Sequence, residues 1–156
     1  MKAFELDSQL THDCFVLGEF DCGLLLLMNN ALVPWFILVP KSNATELYEL
    51  PQDVQLSVLD QINDISRFLK EALKSEKLNI AAIGNKVKQL HIHIIGRNES
   101  DFCWPNVVWG TEKRQPYSDD EVREIAARLS AELKCKFAIS QHYAETPAGS
   151  TPRHSE

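Results

Sequence analysis

Two short apolar segments, separated by four residues, set the strongest limit on how this chain can fold. Residues 24–30 and 35–40 are each the length of a buried strand, and the gap between them suits a hairpin-like connection. Their continuous hydrophobicity requires cover on both faces, from helices or from a helix and a partner subunit. The sequence therefore predicts two adjacent strands at the centre of a mixed helix and sheet protein.

The other periodic segments extend this strand pair into an α+β domain. Residues 52–75 carry apolar side chains at steps of three and four, which is typical of a helix with one face on a core. Residues 78–83 and 87–95 have the pattern of two more strands. Ser118 and Glu121 form a capping box that begins a C-terminal helix. We predict an antiparallel sheet of about five strands, with the long helix and the C-terminal helix on one face.

Length and charge narrow the class of protein further. The 156 residues suit a single domain, which we expect over residues 1–143, followed by a disordered Pro-, Ser- and Thr-rich tail over 144–156. A net charge of −6 argues against nucleic-acid binding, which usually shows as a basic excess. No apolar run approaches the roughly 20 residues that span a bilayer. We therefore expect a cytoplasmic protein with no membrane or nucleic-acid partner, and reduced thiols at its four cysteines.

The segment whose residues most clearly suggest a chemical function contains two histidines, His91 and His93. Side chains alternate along a strand, so the predicted strand over 87–95 places Gln89, His91 and His93 on one face. The apolar residues between them point into the core. Three polar side chains in a row on an otherwise apolar strand are unusual for a purely structural element.

Three interpretations of this row remain open on the residues alone. The histidines are half-exposed sheet residues, or His-x-His presents two imidazoles to a metal ion, with Glu99 as the nearest candidate for a third ligand. In the third interpretation one imidazole is a nucleophile and its neighbour hydrogen-bonds the group that is displaced. Neutral imidazole is available for this at pH 7, because histidine titrates near that pH.

The segment from Gln89 to Ile95 resembles the signature of the histidine triad (HIT) superfamily, His-φ-His-φ-His-φ-φ with φ apolar. Six of the seven positions match, and the first histidine is replaced by Gln89. The two apolar segments, which end in Val39-Pro40-Lys41, and the helix that follows are also similar to the family. The likeness covers about residues 4 to 110 and points to a divergent, bacterial-type HIT domain protein with a HIT-like fold.

The resemblance implies a catalytic role for each polar residue of the row. In the family the middle histidine attacks the α-phosphorus of a nucleotide and forms a nucleotidyl-histidine intermediate, and this role falls on His91. The last histidine lies against the phosphate or the leaving group, and this role falls on His93. Gln89 keeps hydrogen-bonding capacity but cannot carry a proton as histidine does, so it would hold His91 or a phosphate oxygen in place.

The resemblance also implies substrate-binding residues. Asn29 or Asn30 matches the position that contacts the ribose, and Asn85 matches a polar amide that contacts phosphate oxygens. Lys86 and Arg97, at the two ends of the predicted strand, are candidates for binding phosphate by charge. The aromatic segment 104–110 would cover a base, lie in a subunit interface or pack into the core.

The expected activity is that of a nucleotide hydrolase or transferase. It would cleave a phosphoanhydride or phosphoramidate bond at the α-phosphate, with a dinucleoside polyphosphate among the possible substrates. No metal or other cofactor is required, although Mg²⁺ could accompany a polyphosphate, and the family resemblance implies a homodimer. Two alternatives stay open: a non-catalytic nucleotide-binding or regulatory module, and a metal-dependent cupin-type enzyme that uses His91 and His93.

Overall fold

The structure, a computed structural model, describes residues 3–144. Their six strands fall into groups of three, two and one, which are separated by helices. The helices are α1 (Ser8–Asp13), α2 (Gln52–Arg67), α3 (Asp119–Leu133) and α4 (Gln141–Ala144). The strands are β1 (Cys14–Phe20), β2 (Gly23–Met28), β3 (Trp35–Pro40), β4 (Lys77–Ala81), β5 (Ile92–Arg97) and β6 (Ala138–Ile139). A π-helical turn, Phe68–Ala72, extends α2.

The strands form one antiparallel sheet in the order β4-β5-β3-β2-β1-β6. The two apolar segments are neighbours in it, with Leu24 opposite Val39 and Leu27 opposite Phe36, so the predicted strand pair is confirmed. Every residue of β3 is buried, because β3 lies between β2 and β5 and is covered on both faces. The continuous hydrophobicity of this segment follows from that position.

The two long helices pack on the same face of the sheet, as predicted. Their apolar residues join those of the central strands in the larger of two cores, which includes Phe36, Ile65, Ile94, Ala126 and Leu129. A smaller core on the opposite face is covered by α1 and by the loop between β5 and α3. The α+β class with both long helices on one face is therefore confirmed, and the opposite face carries the smaller core.

The predicted strand over 87–95 is wrong in its first half. The observed strand is Ile92–Arg97, so it begins later and continues through Gly96 to Arg97, two residues past the predicted end. Residues 84–91 form a loop instead, in which the Leu90 amide donates to the Ala44 carbonyl rather than to a neighbouring strand. Leu90 still points into the larger core, so the apolar alternation marks burial and not strand pairing.

The sheet has six strands rather than about five, because β1 and β6 gave no clear sequence signal. β6 has only two residues, which is too short for a periodic pattern. β1 contains a bulge between Val16 and Gly18, which interrupts its alternation. A methyl group at Gly18 would lie 2.6 Å from the Phe137 ring and would clash with the Ala138 carbonyl. Glycine is therefore needed where β6 approaches β1.

The start of α3, the cysteines and the C-terminal tail were also predicted from the sequence. The Ser118–Glu121 capping box is confirmed at the start of α3. The four cysteines are free thiols, as expected. Among residues 3–144 no helix is both long and apolar enough to cross a membrane. The predicted tail over 144–156 begins at Ala144, which is helical as the last residue of α4, and its remaining residues, 145–156, lie outside the described residues.

Candidate active site

A cavity of about 360 Å³ lies on the sheet face opposite α2 and α3. Its size is in the range of small-molecule sites. Its wall brings together four of the predicted site residues, namely His91, His93, Asn85 and Lys86. The two histidines are buried, at 7% and 6% exposure, whereas Asn85 and Lys86 are exposed on the loop before β5.

His91 lies immediately before β5, and its ring is oriented by the backbone of its own loop. Its Nδ1 is 2.6 Å from the carbonyl oxygen of Gln89. A carbonyl oxygen accepts but cannot donate, so Nδ1 carries the hydrogen and donates it. In the neutral ring this leaves the lone pair on Nε2, and His91 is therefore held in the tautomer that a nucleophile needs.

His93 is held in the opposite tautomer by a tryptophan. The Trp35 Nε1 is 2.9 Å from the His93 Nδ1, and both side chains are buried. An indole nitrogen donates but cannot accept, so Nδ1 of His93 is the acceptor and the ring hydrogen is on Nε2. His93 therefore offers an N–H where His91 offers a lone pair.

The protonation state of His93 follows from its surroundings. Burial and, to a smaller extent, the charge of the neighbouring His91 lower the pKa of His93 to about 4. The two rings are 5.1 Å apart at a steep angle. At neutral pH His93 is therefore an uncharged hydrogen-bond donor next to the proposed nucleophile.

The Gln89 side chain is not on the cavity wall. Its Nε2 donates to the Glu5 carbonyl at 2.8 Å, and its Oε1 accepts from the Asp7 amide at 2.9 Å. The side chain thus ties the N-terminal segment to the loop that carries His91. Gln89 orients His91 through its backbone, because the Gln89 carbonyl oxygen is hydrogen-bonded to His91 Nδ1.

Asn29 and Asn30, the expected ribose contacts, also lie outside the cavity lining. Asn29 Oδ1 accepts from the Tyr117 amide at 2.9 Å, and Asn30 Oδ1 accepts from the Leu32 and Gln115 amides at 3.3 Å. Both side chains therefore fasten the segment before α3 to the end of β2.

Arg97 is a buried structural residue and not part of the cavity. Its side chain is 1% exposed and donates to Asp101 at 2.7 Å and to Asn79 at 2.9 Å. It also donates to the Asn106 carbonyl at 2.9 Å and lies over the Trp104 ring. Arg97 thus organises the loop after β5, which contains the aromatic segment 104–110.

That loop contributes Trp109 to the cavity wall, and the base-covering role considered for segment 104–110 stays a prediction. The Trp109 ring centroid is 5.5 Å from His93 and 6.1 Å from Trp35, edge-on in both cases. Trp109 lines the cavity together with the apolar side chains of Met28 and Ile37. Trp35 itself lay inside an apolar segment, so its hydrogen bond to His93 had no sequence signal.

The helix α1 adds two polar residues that the sequence gave no reason to expect. Gln9 and Asp13 line the cavity, and the Gln9 Nε2 donates to Asp13 at 2.8 Å. Burial acts to raise the Asp13 pKa, but hydrogen bonds from Gln9 and His12 and the charges of His12 and Arg114 outweigh it and lower the pKa. This edge of the cavity is therefore anionic at neutral pH.

The donor set does not suit the metal interpretation. Residues 3–144 contain no group of three His, Cys, Asp or Glu side chains placed to hold a metal ion. Glu99, the expected third ligand, lies in the turn after β5, where its amide donates to Glu76. The Nδ1 atom of each histidine is already hydrogen-bonded, so a metal ion could bind only the Nε2 atoms of His91 and His93.

An antiparallel sheet with two long helices on one face and a His-x-His cavity on the other defines the histidine triad class. The family model described as "HIT domain" matches residues 9–100, and the chain belongs to this family. It is 32% identical over 97 residues to the Adenylylsulfatase HINT3 of Arabidopsis thaliana, which covers 58% of this chain. The match covers 49% of that protein, so the chain spans about half the length of this relative.

Solved structures of histidine triad proteins superpose closely. A protein from Sinorhizobium meliloti 1021 is 40% identical, with a TM-score of 0.81, over 83% of this chain and 97% of its own. A protein from Marinobacter aquaeolei VT8 is 37% identical, with a TM-score of 0.82, over 86% of this chain and 99% of its own. The fold is therefore shared over nearly the whole of these bacterial proteins.

The burial of Arg97 predicts a loss of stability when it is replaced. Arg97→Met leaves the carboxylate of Asp101, 9% exposed, without its ion-pair partner. We expect the free energy of unfolding to fall by about 3–5 kcal/mol in urea denaturation. Lys86→Met, at the exposed cavity rim, is the matched control and should change it by less than about 0.5 kcal/mol. Equal small effects would place Arg97 at the surface instead.

The low pKa of His93 predicts a pH-dependent stability. Between its ordinary value of 6.5 and about 4 the unfolded chain binds a proton that the folded protein excludes. Stability is therefore present above pH 6.5 and lost as the pH falls, by about 3 kcal/mol at pH 4. Urea denaturation between pH 4 and 7 should show this slope, and His93→Gln should flatten it. An unchanged slope in the variant would contradict the assignment.

Proposed function

We propose that this protein hydrolyses a nucleotide at its α-phosphate through a nucleotidyl intermediate on His91. The observation that carries the proposal is the pair of opposite tautomers fixed by Gln89 and Trp35. They place a lone pair on His91 and an N–H on His93 on the wall of the same cavity. Nucleophilic attack beside a hydrogen-bond donor is the chemistry that this arrangement favours.

The reaction has two steps. In the first, Nε2 of His91 forms a bond to the α-phosphorus, and the bond to the leaving group breaks with its electron pair on that group. The Nδ1 hydrogen bond to the Gln89 carbonyl stabilises the positive charge that develops on the His91 ring. In the second step a water oxygen attacks the phosphorus, the electron pair returns to Nε2, and the proton of the water passes to solvent.

The cavity has the parts that a nucleotide needs. Asn85 and Lys86 line the cavity together with the two histidines, and an amide and an ammonium group suit phosphate oxygens. Met28, Ile37 and Trp109 provide apolar and aromatic surface for the nucleoside. The adenylylsulfatase name of the Arabidopsis relative supports a nucleotide substrate. A dinucleoside polyphosphate is one candidate, and Mg²⁺ would then arrive as part of the substrate.

Single-turnover labelling tests the proposal. The wild-type protein, mixed with a nucleotide labelled at the α-phosphate and quenched rapidly, should carry acid-labile label. His91→Ala should carry none, because it lacks the attacking nitrogen, and turnover should fall by at least about 10³-fold. His142→Ala, an exposed histidine on α4, is the matched control and should label like the wild type.

Nucleotide binding without label or turnover would overturn the hydrolase and favour a non-catalytic binding module. Label that persists in His91→Ala would move the nucleophile to another residue. Stoichiometric zinc or iron that is lost in both His91→Ala and His93→Ala would favour the metal-dependent alternative.

We also propose that the protein is a cytoplasmic homodimer that joins through the edge of β4. β4 is an outer strand of the sheet, and the neighbouring apolar side chains Ile80 and Ile83 are 47% and 39% exposed. Two such edges related by a two-fold axis would continue the sheet across the dimer. The free thiols suit a reducing compartment.

Light scattering coupled to size exclusion should therefore give twice the mass of one chain for the wild type. Ile80→Lys should give the mass of one chain, because a charge on the edge strand opposes pairing. Val107→Lys, on an exposed loop residue, is the control and should remain dimeric. A monomeric wild type would refute the dimer.

A further inference from the structure

We propose that this site acts on mixed anhydrides of a nucleoside 5′-phosphate and discriminates against phosphoramidates, because Trp35 prevents His93 from acting as an acid. Trp35 is in this view a positioning residue that sets the class of leaving group. The inference rests on the proposed function and narrows it, since both kinds of bond are compatible with attack by His91.

The two kinds of substrate differ in what their leaving group requires. A phosphate, sulfate or carboxylate group departs as a stable anion and needs a hydrogen bond at most. An amine departs well only when it receives a proton as the bond breaks. Proton transfer by a positioned acid typically contributes about 10²–10⁴-fold to a rate. A site without an acid should therefore be slow on phosphoramidates by a factor of that order.

The geometry prevents His93 from donating a proton to the leaving group. Its Nε2 already carries the hydrogen, so the ring can become cationic only by protonation at Nδ1. The Trp35 N–H points at that atom from 2.9 Å, and protonation would set two donors against each other. Loss of the Nε2 hydrogen from the neutral ring would leave an imidazolate anion. His93 can therefore hydrogen-bond a leaving group but does not protonate it, in keeping with its lowered pKa.

The other polar side chains at the cavity do not replace His93 as a proton donor. The titratable residues that line the cavity with His93 are His91, Asp13 and Lys86. His91 is the nucleophile, and the Asp13 carboxyl has a lowered pKa and is ionised. Proton loss from Lys86 would remove the charge that binds phosphate. The Gln89 amide has no proton to transfer and is bonded to the N-terminal backbone.

The bond changes balance without a proton donor. The N–P bond to His91 forms, the P–O bond of the anhydride breaks, and the electron pair leaves on the departing oxygen. That oxygen accepts a hydrogen bond from Nε2–H of His93 and departs as an anion. Water later completes hydrolysis as in the proposed function.

A series of AMP derivatives tests this in the wild-type protein. The probes are the mixed anhydride of AMP with sulfate, the 4-nitrophenyl ester of AMP and an alkyl phosphoramidate of AMP, whose leaving groups become steadily more basic. We expect kcat/KM to fall along the series and to be at least about 100-fold lower for the phosphoramidate than for the nitrophenyl ester. Phosphoramidate cleavage as fast as that of the nitrophenyl ester would overturn this inference alone. Failure to cleave any of the three would overturn the proposed function together with it.

Trp35→Phe isolates the hydrogen bond. Without the indole N–H, Nδ1 of His93 becomes free to bind a proton, and its pKa should rise above about 4, while burial and the charge of His91 still hold it below the ordinary value. At pH 5.5 a larger fraction of His93 is then cationic. The rate on the phosphoramidate relative to the nitrophenyl ester should increase by the same factor as the cationic fraction and should fall again as the pH is raised.

Trp109→Phe is the matched control. It removes the other indole beside His93, whose Nε1 has no hydrogen-bond partner among residues 3–144. It should leave the ratio of the two rates unchanged at each pH. NMR titration of His93 accompanies both variants. A raised pKa in Trp35→Phe with no change in the ratio would overturn the inference, and the wild-type series tests it independently if Trp35→Phe does not fold.

Discussion

The pairing of β3 with β5 is the constraint on which the rest of the site depends. It sets Ile37 opposite His93 and Trp35 opposite Ile95, so Trp35 and His93 are diagonal neighbours on one face of the sheet. Side chains at such positions reach each other, and the indole N–H meets the imidazole Nδ1. Because β3 is buried along its whole length, this bond forms away from water and fixes the state of the histidine.

Two hydrogen bonds, one to a backbone carbonyl and one from an indole N–H, give His91 and His93 different chemical properties. A carbonyl oxygen at Nδ1 leaves His91 with the Nε2 lone pair that its proposed role as nucleophile needs, and an indole N–H at Nδ1 makes His93 a neutral donor. Side chains outside the cavity wall stabilise the loops around the two histidines. Arg97 holds the loop that carries Trp109, and Gln89 holds the N-terminal segment against the loop that carries His91. Residues that do not line the cavity therefore shape it.

Much of the architecture was predictable because its signals are local. The β2 and β3 segments, the long helix and the capping box of α3 each depend on residues a few positions apart. The same holds for His91, His93, Asn85 and Lys86, which the short motif segment brings to one cavity. The first half of the predicted strand over 87–95 failed, since alternation reports which side chains are buried and not where the backbone finds its partners.

The sequence by itself determined the family, the α+β class and the presence of two histidines at one site. Tertiary structure decided what each polar residue does there, because a side chain takes the partner that folding brings to it. Trp35 and His93 are 58 positions apart, and Gln89 and Glu5 are 84 positions apart. Asn29, Asn30 and Arg97, all expected to bind substrate, are instead engaged by loops that fold back onto the sheet. Their roles follow from burial and hydrogen bonding between distant segments, which no local pattern encodes.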